Sequence, residues 1–451
     1  MPIALVILAA GKGTRMNSEL PKVLHEIAGA PMLVHAMKSG AALEPDHTIV
    51  VAGHGAELVE KAASAWDPST QIVLQTEQLG TGHAVQMAQD QLANFQGDVI
   101  VLYGDTPFIR PETLVAMSEL RQKKDLVVLG FEAADPGRYG RLITDGDSLE
   151  RIVEFKDATP TEQRIRLCNS GVMVMDAPKL FDLLTKIGND NAAGEFYLTD
   201  VVFHARQSGL SAGVVRCPEA ETLGVNSRAQ LVEAEDAFQT RARAEMLETG
   251  VTLNAPDLTY FAHDTVIGRD TVIEPNVVFG PDVTVESGAR IRAFSHLEGC
   301  HVSRGAVVGP YARLRPGTEL AEDTKVGNFV EVKNASIAEG AKINHLSYVG
   351  DASVGKNSNI GAGTITCNYD GVMKHRTEIG EDVFIGSNSL LVAPVTVGDR
   401  AMTATGGTIT KDVPPEALAL ARAKQINKPG LAVRLFDRLK AIKAEKTKGA
   451  E

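Results

Sequence analysis

Hydrophobic residues follow two different patterns along the chain, and the pattern changes near residue 260. Before that point, short and almost continuously apolar runs alternate with stretches that have apolar residues at helical spacing. The runs are IALVILAA, HTIVVAG, TQIVLQ, DVIVLYGD and DLVVLGF, and the helical stretches include GAELVEKAASAW and TGHAVQMAQDQLANF. Continuous apolarity is typical of strands buried on both faces of a parallel sheet, so the alternation predicts an open, doubly wound α/β layer.

Two further segments complete this half. The stretch GRLITDGDSLERIVEFKDA contains the turn dipeptide Asp145-Gly146 and predicts a hairpin added to the sheet. Residues 228–249 carry charges along most of their length and end before Gly250, which predicts a connecting helix. We therefore expect a first domain over residues 1–227, a linker helix over 228–250 and a second domain over 251–451.

Beyond residue 260, an inward-pointing residue is predicted at every sixth position, except that the count slips by one before Val302, Ile337 and Val354 and is interrupted after Ile360. The series is Ile267, Ile273, Phe279, Val285, Ile291, Leu297, Val302, Val308, Leu314, Leu320, Val326, Val332, Ile337, Ile343, Val349, Val354, Ile360, Ile379, Ile385, Leu391, Val397, Thr403 and Ile409. A period of six predicts a β-solenoid in which three hexads form one coil. Small residues often follow the periodic one, and we attribute them to tight corners. They are Gly268, Gly309, Gly327, Gly350, Gly355, Gly361, Gly380, Gly386 and Gly398.

Two segments depart from the six-residue repeat. CNYDGVMKHRTE, residues 367–378, interrupts it without replacing its apolar positions, which predicts a loop expelled from one corner. LFDRLKAIKAEKTKGAE at the end of the sequence predicts a short helix followed by a disordered, lysine-rich tail.

Composition narrows the class of protein. A net charge of −12 over 451 residues argues against a nucleic-acid binder, because binding a polyanion needs a basic face. The first apolar run is too short to span a membrane and lacks the features of a signal peptide. Four widely spaced cysteines without a C-x-x-C pair argue against a disulfide framework or structural zinc. We expect a cytoplasmic protein with no membrane partner.

The first candidate site follows the first apolar run. The stretch GKGTRMNSELPK fits neither the P-loop pattern nor the dinucleotide-binding pattern. Gly11 and Gly13 allow the backbone to approach a phosphate closely, and Lys12, Arg15 and Lys22 add three cations. The coincidence of strand, glycines and cations favours a phosphate cradle over a glycine turn with solvated lysines.

Two other residues are ambiguous on sequence alone. Asp105 follows the buried run DVIVLY, where it suits a divalent cation, although an Asp at a strand end is more often a turn or cap residue. His345 lies between Ile343 and Val349 and off the periodic positions, so its side chain is expected to leave the core. A lone histidine there is more often a surface or structural residue than a general base.

The motifs together identify a family. LAAGKGTRMNSELPK resembles the signature loop of sugar-nucleotide pyrophosphorylases. Combined with EQLGTGHA, LYGD, GVNSR, RPGTEL and IGAGTITCNYDG, it makes nearly the whole chain similar to the bacterial bifunctional N-acetylglucosamine-1-phosphate uridyltransferases/glucosamine-1-phosphate N-acetyltransferases. The resemblance implies a Rossmann-like nucleotidyltransferase domain and a left-handed parallel β-helix of hexapeptide repeats. It also implies Mg²⁺, acetyl-CoA as co-substrate, and a homotrimer whose expelled loop reaches a neighbouring subunit.

The resemblance implies residue roles for uridylyl transfer. Arg15 and Lys22 would act in catalysis, and Asp105 and Asn226 would hold Mg²⁺. The residues matched to contacts with UTP and the sugar nucleotide are Leu8, Ala9, Ala10, Gly11, Lys22, Gln75, Gly80, Thr81, Tyr103, Gly104, Asp105, Gly140, Glu154, Asn169 and Asn226.

For acetyl transfer, the resemblance makes His345 the general base for the glucosamine amine. Four residues match contacts with glucosamine 1-phosphate, namely Arg315, Lys333, Tyr348 and Asn359. Six match contacts with acetyl-CoA, namely Ala362, Asn368, Tyr369, Ser387, Thr405 and Arg422. Thr405 departs from the family's usual alanine, so a backbone contact there would survive, whereas a tight fit against the side chain would not.

Two rival hypotheses remain at this stage. The chain could be a pyrophosphorylase for another sugar nucleotide, with the solenoid serving regulation or assembly, which predicts no acetyl transfer. It could also be a non-catalytic assembly subunit, which predicts that the loop cations or Asp105 would be missing. They are present.

Overall fold

A computed structural model describes residues 1–448, and the chain divides into two compact units. The first comprises Met1–Ile267 with Pro275–Val283, and the second comprises Gly268–Glu274 with the chain from Thr284 onward. No helix within residues 1–448 is both long enough and apolar enough to cross a membrane.

The first unit contains one mixed sheet flanked by helices. Its strands are β1 Ile3–Ala9, β2 Glu26–Ile27, β3 Ala30–Pro31, β4 His47–Ala52, β5 Gln71–Leu74, β6 Asp98–Tyr103, β7 Leu126–Glu132, β8 Arg141–Asp145, β9 Ser148–Val153, β10 Leu167–Asp176 and β11 Ala212–Cys217. Its α-helices are α1 Met32–Ala41, α2 Ala56–Trp66, α3 Thr81–Gln86, α4 Pro111–Arg121, α5 Ala177–Leu184, α6 Asp200–Gln207 and α7 Arg228–Glu248. The strand order is β11-β7-β10-β6-β1-β4-β5, while β2 and β3 pair separately.

The predicted α/β layer is confirmed, with one difference. β1 pairs in parallel with β4 and β6, and its residues are buried on both faces, as the apolar run indicated. β10 lies antiparallel between β6 and β7, so the sheet is mixed rather than purely parallel. Its sequence, LCNSGVMVMD, contains an irregularity between Asn169 and Met173, and this interrupts the continuous apolarity that marks the other strands.

The hairpin and the long helix are also present. β8 and β9 pair antiparallel around Gly146, whose positive φ of 57° suits the turn. Ser227 caps the 21-residue α7 by accepting a hydrogen bond from the Gln230 amide. α3 is shorter than the apolar spacing predicted, because its continuation breaks into a separate 3₁₀ turn, Asp90–Leu92.

The repeat region consists of short parallel strands stacked coil on coil. These are β12 Thr252–Leu253, β13 Thr259–Tyr260, β14 Val266–Ile267, β15 Val272–Ile273, β16 Val277–Phe279, β17 Val283–Val285, β18 Arg290–Ile291, β19 His296–Leu297, β20 Cys300–Val302, β21 Val307–Val308, β22 Arg313–Leu314, β23 Thr318–Leu320, β24 Lys325–Asn328, β25 Glu331–Ile337, β26 Lys342–His345, β27 Tyr348–Val354, β28 Asn359–Ile360, β29 Ile365–Cys367, β30 Thr377–Ile379, β31 Phe384–Ile385, β32 Leu390–Val392, β33 Val395–Val397, β34 Met402–Thr403, β35 Thr408–Ile409 and β36 Leu418–Ala419.

The six-residue period is confirmed as the basis of a parallel β-helix. Every periodic residue from Ile267 to Ile409 named above is buried. Equivalent residues on successive coils pair in parallel, as Val326 does with Ile343 and Ile343 with Ile360. One further periodic position, Thr366, lies in the gap of the predicted series and is also buried. Its hydroxyl donates to the Gly350 carbonyl at 3.0 Å, which lets a polar residue take an inward position. The left hand of the coil stays a prediction.

The glycines after the periodic residues serve a different purpose from the one predicted. Of the nine, only Gly309 has a positive φ. Seven of the other eight are confined by the next coil: a Cβ on Gly327 would lie 2.0 Å from the Asn344 carbonyl oxygen. At Gly350, a Cβ would instead meet the Tyr348 side chain of the same coil. The explanation from corner conformation therefore holds for Gly309 but was wrong for the others, and at seven of them the stacking distance between coils excludes a side chain.

Of the two segments predicted to depart from the repeat, the loop is confirmed, whereas the end of the chain differs from its prediction. The interruption is a loop between β29 and β30, as predicted, and Val372 at its tip is 86% exposed. The end of the chain was predicted as a short helix and a disordered tail, but α8 runs Leu431–Lys448. Alanine, lysine and glutamate are good helix formers, which accounts for the extension. Residues 449–451 lie outside the described part of the chain.

Candidate active sites

The first candidate site is a cleft of about 340 Å³ at the carboxyl ends of β1, β5 and β6. Ala10, Gln75 and Gly104 come directly after these three parallel strands, so the sheet brings them to one edge. The cleft is lined by predicted residues and by others that the sequence did not single out. Its lining comprises Leu8, Ala9, Ala10, Gly11, Lys22, Val23, Gln75, Gln78, Gly80, Thr81, Ala84, Tyr103, Asp105 and Glu195.

The loop after β1 is compact and held from two sides. Gly13 has a φ of 58°, and a Cβ there would lie 2.6 Å from Cβ of Lys22, so the position admits only glycine. Gln78 Nε2 donates to the Ala10 carbonyl at 2.7 Å. Arg15 is exposed and is not among the residues that line the cleft. Gln78 lies in the motif EQLGTGHA, but its role was missed because its contact with Ala10 joins positions 68 residues apart.

The two predicted metal ligands converge on one cation. Lys22 Nζ donates to Asp105 Oδ2 and, at 2.9 Å, to Asn226 Oδ1. The ion pair is well shielded, with 12% of the Lys22 side chain and 18% of the Asp105 side chain exposed. The Val225 amide donates to the Asp105 carbonyl and ties the two segments together.

This donor set fits Mg²⁺ when substrate is present. Mg²⁺ in nucleotide sites takes one or two protein oxygens and completes its shell with water and phosphate. Asp105 and Asn226 supply one carboxylate oxygen and one amide oxygen. Both oxygens accept from the Lys22 ammonium, so the space between them attracts a cation. Within residues 1–448, no cluster of three or more His, Cys, Asp or Glu side chains is arranged to hold a metal without such help.

The far side of the cleft is suited to a base and a sugar. Gln75 is buried, and its Nε2 donates to the Gly80 carbonyl at 3.1 Å. Burial, followed by the nearby Glu154 and Asp105 carboxylates, raises the pKa of Tyr103, so its hydroxyl stays protonated and can donate. Burial also raises the pKa of Glu154, which accepts from Thr199 Oγ1 at 3.3 Å.

Asn169 on β10 meets Gly140, which directly precedes the hairpin strand β8. The Asn169 amide donates to the Gly140 carbonyl at 2.9 Å, and Asn169 Oδ1 accepts from the Gly171 amide. A Cβ on Gly140 would come within 3.4 Å of the Glu154 carboxylate. The structure therefore brings Gly140, Glu154 and Asn169 together, as a shared sugar site requires.

The second candidate site is a column of equivalent positions on successive coils of the β-helix. The strand registers place Asn328, His345, Ala362, Ser387 and Thr405 each two residues after a paired inward residue. Adjacent coils lie roughly 4.8 Å apart, so the column from His345 to Thr405 extends over roughly 14 Å. Such a line suits an elongated ligand.

His345 is exposed and oriented by a neighbour. Its Nδ1 lies 2.8 Å from Asn328 Oδ1, on the adjacent coil. An amide oxygen only accepts, so Nδ1 carries the hydrogen and Nε2 keeps a lone pair. The His345 carbonyl accepts from Ser347 Oγ and from the Gly363 amide, which fixes the backbone. Asn328 was missed because its importance depends on coil register.

Basic side chains gather on the other sheet of the β-helix. Arg315 and Lys333 follow paired inward residues on neighbouring coils, and Arg315 Nη1 donates to Glu331 Oε1 at 2.6 Å. The ammonium of Lys374, in the expelled loop, and then the Arg315 guanidinium lower the pKa of Lys333. Crowded cations favour a dianion between them. Lys374 is a further residue that the sequence did not single out.

The base of the expelled loop is tied to this cluster. Asn368 Nδ2 lies within hydrogen-bond distance of Asp351 and, at 3.5 Å, of the Tyr348 hydroxyl. Burial alone would raise the pKa of Asp351, but hydrogen bonds from Asn334 and Asn368 hold it below its ordinary value. Tyr369, next in the loop, is 60% exposed.

The remaining predicted residues lie on later coils. Arg422 Nη1 donates to the Thr405 carbonyl at 2.9 Å, and the Thr405 side chain is exposed. Asn359 on β28 is half-buried, and the Ala362 carbonyl accepts from the Asn388 amide. The backbone carbonyl oxygen of Thr405 is therefore already hydrogen-bonded to Arg422.

Comparison with protein families divides the chain in the same way. Residues 5–163 match the MobA-like NTP transferase domain. Residues 264–299 match the bacterial transferase hexapeptide (six repeats), and residues 376–411 match the hexapeptide repeat of succinyl-transferase.

Curated relatives match over the full length. The "Bifunctional protein GlmU" of Ruegeria sp. (strain TM1040) is 69% identical over 449 residues and covers 100% of both chains. That of Ruegeria pomeroyi is 69% identical over 448 residues, covering 99% of this chain and 100% of its own. That of Paracoccus denitrificans is 62% identical over 442 residues, covering 98% and 99%.

Proposed function

The chain belongs to the family of bifunctional GlmU proteins, and on that premise we propose that it catalyses two steps of UDP-N-acetylglucosamine synthesis. It acetylates glucosamine 1-phosphate from acetyl-CoA, and then transfers UMP from UTP to the N-acetylglucosamine 1-phosphate formed. The observation that carries the proposal is the presence of two separate sites in one chain: the Lys22–Asp105–Asn226 cluster and the His345–Asn328 pair.

For uridylyl transfer, the chain would position two anions in the first unit. A phosphate oxygen of N-acetylglucosamine 1-phosphate attacks the α-phosphorus of UTP, and the bond to the β-phosphate breaks to release pyrophosphate. Lys22 and Arg15 would hold the triphosphate, and Asp105 and Asn226 would hold Mg²⁺. When bound, Mg²⁺ would neutralise phosphate charge. Gln75 would contact uracil, and Tyr103 and Glu154 the sugar.

For acetyl transfer, His345 would act as general base. Its Nε2 accepts a proton from the glucosamine amine as the nitrogen attacks the thioester carbon, and the C–S bond breaks to release coenzyme A. Arg315 and Lys333 would bind the sugar phosphate, while Tyr348 and Asn359 would contact the sugar. Along the column, acetyl-CoA would be held by Ala362, Asn368, Tyr369, Ser387, Thr405 and Arg422.

Assembly and location complete the proposal. The exposed loop that carries Tyr369 would reach a neighbouring copy in a homotrimer, so that each acetyl-transfer site is shared between chains. The composition supports a cytoplasmic enzyme.

A two-signal assay tests the proposal. Purified protein is mixed with glucosamine 1-phosphate, acetyl-CoA, UTP and Mg²⁺, while free thiol and pyrophosphate are followed separately. We expect acetyl-CoA to release free thiol when glucosamine 1-phosphate is present, and pyrophosphate to appear only once the N-acetyl sugar is formed or added. Pyrophosphate from added N-acetylglucosamine 1-phosphate without thiol release would instead indicate a single-activity pyrophosphorylase.

A further inference from the structure

A second cavity in the first unit shares no lining residue with the nucleotide cleft. It measures about 400 Å³ and lies between α1, the start of α4 and α7. Three basic side chains and four rings contribute to its wall, together with the carboxylates of Glu112 and Glu245. The basic residues are Lys38, Arg110 and Arg241, and the rings are those of His35, Phe108, Phe238 and His263.

Arg241 is held in place by aromatic rings. Its guanidinium carbon lies 5.6 Å from the ring centroids of both Phe108 and Phe238. Stacking engages the face of a guanidinium and leaves the N–H groups at its edge for an acceptor. Arg241 Nε lies 3.8 Å from Glu245 Oε1, and 64% of the Glu245 side chain is exposed. This ion pair is therefore weak, and Arg241 can still bind an anion.

Other donors face the same space. Lys38 Nζ donates to the His263 carbonyl at 3.0 Å, which holds its ammonium at the cavity wall. Arg110 is the N-cap of the 11-residue α4, whose first turn adds positive partial charge.

The charges around the cavity favour an anion. Burial, with smaller effects from His263, Lys38 and Arg241, lowers the pKa of His35 to about 4, so that ring is neutral near pH 7. Burial also lowers the pKa of His263, although Asp264 lies 3.8 Å away. The wall therefore carries the three positive charges of Lys38, Arg110 and Arg241 against the two carboxylates of Glu112 and Glu245, a net of one positive charge.

Arg110 is partly engaged elsewhere. Its Nε lies 3.7 Å from the buried Glu221, whose other oxygen accepts from the Arg110 amide and from Thr113 Oγ1. About half of the Arg110 side chain is exposed. Glu221 already accepts two hydrogen bonds, so the long Arg110 contact leaves the guanidinium able to bind a second acceptor.

We propose that this cavity binds a small phosphate-bearing anion, with Arg241 and Arg110 contacting the phosphate. Guanidinium groups bind phosphate oxygens in pairs, and Phe108 and Phe238 leave an apolar wall for an attached organic group. The site does not depend on the function proposed above, because it shares no residue with either candidate active site.

The single tryptophan of the chain provides the test. Trp66 lies with its ring 6.5 Å from that of His263, so its fluorescence reports on the cavity wall. The full-length protein is titrated with inorganic phosphate or with phenyl phosphate, using sodium chloride at matched ionic strength as the reference. We expect a saturable change in emission. Tighter binding of phenyl phosphate would identify an organic phosphate as the natural ligand, and equal binding would identify phosphate itself.

Three variants decide the outcome. Arg241→Gln is expected to weaken binding at least tenfold, whereas Lys123→Gln, an exposed lysine just beyond the other end of α4, should leave it unchanged. If circular dichroism shows that Arg241→Gln is unfolded, anion binding by Arg110→Gln is measured in its place. The proposal is overturned if emission does not saturate, or if the folded arginine variants bind as tightly as the parent protein.

Discussion

At the scale of single residues, His345 depends on the neighbour that orients it. The hydrogen bond from Nδ1 to Asn328 Oδ1 selects the tautomer whose Nε2 can accept a proton. The sequence, with its resemblance, could nominate His345, but not Asn328. The two are 17 residues apart and become neighbours only through the register of β24 and β26.

Asn328→Ala tests this orientation. Without an acceptor at Nδ1, the ring can adopt the unproductive tautomer, so kcat for thiol release should fall roughly tenfold to hundredfold with little change in KM. Asn328→Asp keeps the acceptor and should recover most of the rate. Its carboxylate also stabilises the imidazolium, so the acid limb of the pH–rate profile should move to higher pH.

A purely structural role for Asn328 would give another pattern. Both variants would then lose thermal stability and thiol release together, and the pH profile of the residual activity would not move. Pyrophosphate release provides the internal control, since it should be the same in both variants and the parent protein.

Glu154 is a buried carboxylate, and its charged form lowers the free energy of unfolding. Burial raises its pKa, so the folded state binds a proton more tightly than the unfolded state does. The contribution of Glu154 to the free energy of unfolding is therefore most favourable at acid pH and is lost as pH rises through its folded-state pKa.

Glu154→Gln should separate stability from binding. The variant removes the buried charge, so its gain in the free energy of unfolding over the parent should grow between pH 5 and pH 8 in urea titrations. The loss of a charged acceptor should raise KM for N-acetylglucosamine 1-phosphate roughly tenfold or more. A stability gain that is the same at both pH values would show that charge burial is not its cause.

At the scale of secondary-structure elements, the coils of the β-helix were predictable, but their close packing was not. The inward residues were identified because aliphatic side chains repeat every six positions, and all are buried. Thr366 was missed because it satisfies its hydroxyl with the Gly350 backbone, a three-dimensional contact. The antiparallel direction of β10 and the length of α8 were not predicted. Sequence patterns indicate burial and turns, but they indicate strand direction and helix ends less well.

Gly327→Ala tests coil packing. Its Cβ would lie 2.0 Å from the Asn344 carbonyl oxygen, so the two coils must separate, and we expect a loss of about 1–3 kcal/mol in the free energy of unfolding. Thiol release should fall as well, because Asn328 and His345 lie on these coils. Chemical denaturation followed by circular dichroism measures the change.

Gly188→Ala is the matched control for this substitution. A Cβ on Gly188 meets no atom within 4 Å, and its φ is not in the left-handed region. It should change stability by no more than about 0.5 kcal/mol. Equal stability of Gly327→Ala and the parent protein would mean that the coils can separate without cost, contrary to the packing described above.

At the scale of the whole molecule, the fold class and the family followed from sequence, whereas the supporting contacts came from the structure. The resemblance supplied Asp105 and Asn226, 121 positions apart in the sequence, and the structure brings both to Lys22. Gln78 lies in a family motif and Lys374 in the expelled loop, but their contacts emerged only from their places in the fold. The central claim is that each unit holds its own chemistry.

One measurement tests that claim most directly: thiol and pyrophosphate release, each from its own substrate, in His345→Ala and in Asp105→Ala. We predict a crossed result, in which His345→Ala loses thiol release and keeps pyrophosphate release, and Asp105→Ala does the reverse. Loss of both signals in either folded variant, or retention of both, would contradict the assignment of two independent sites.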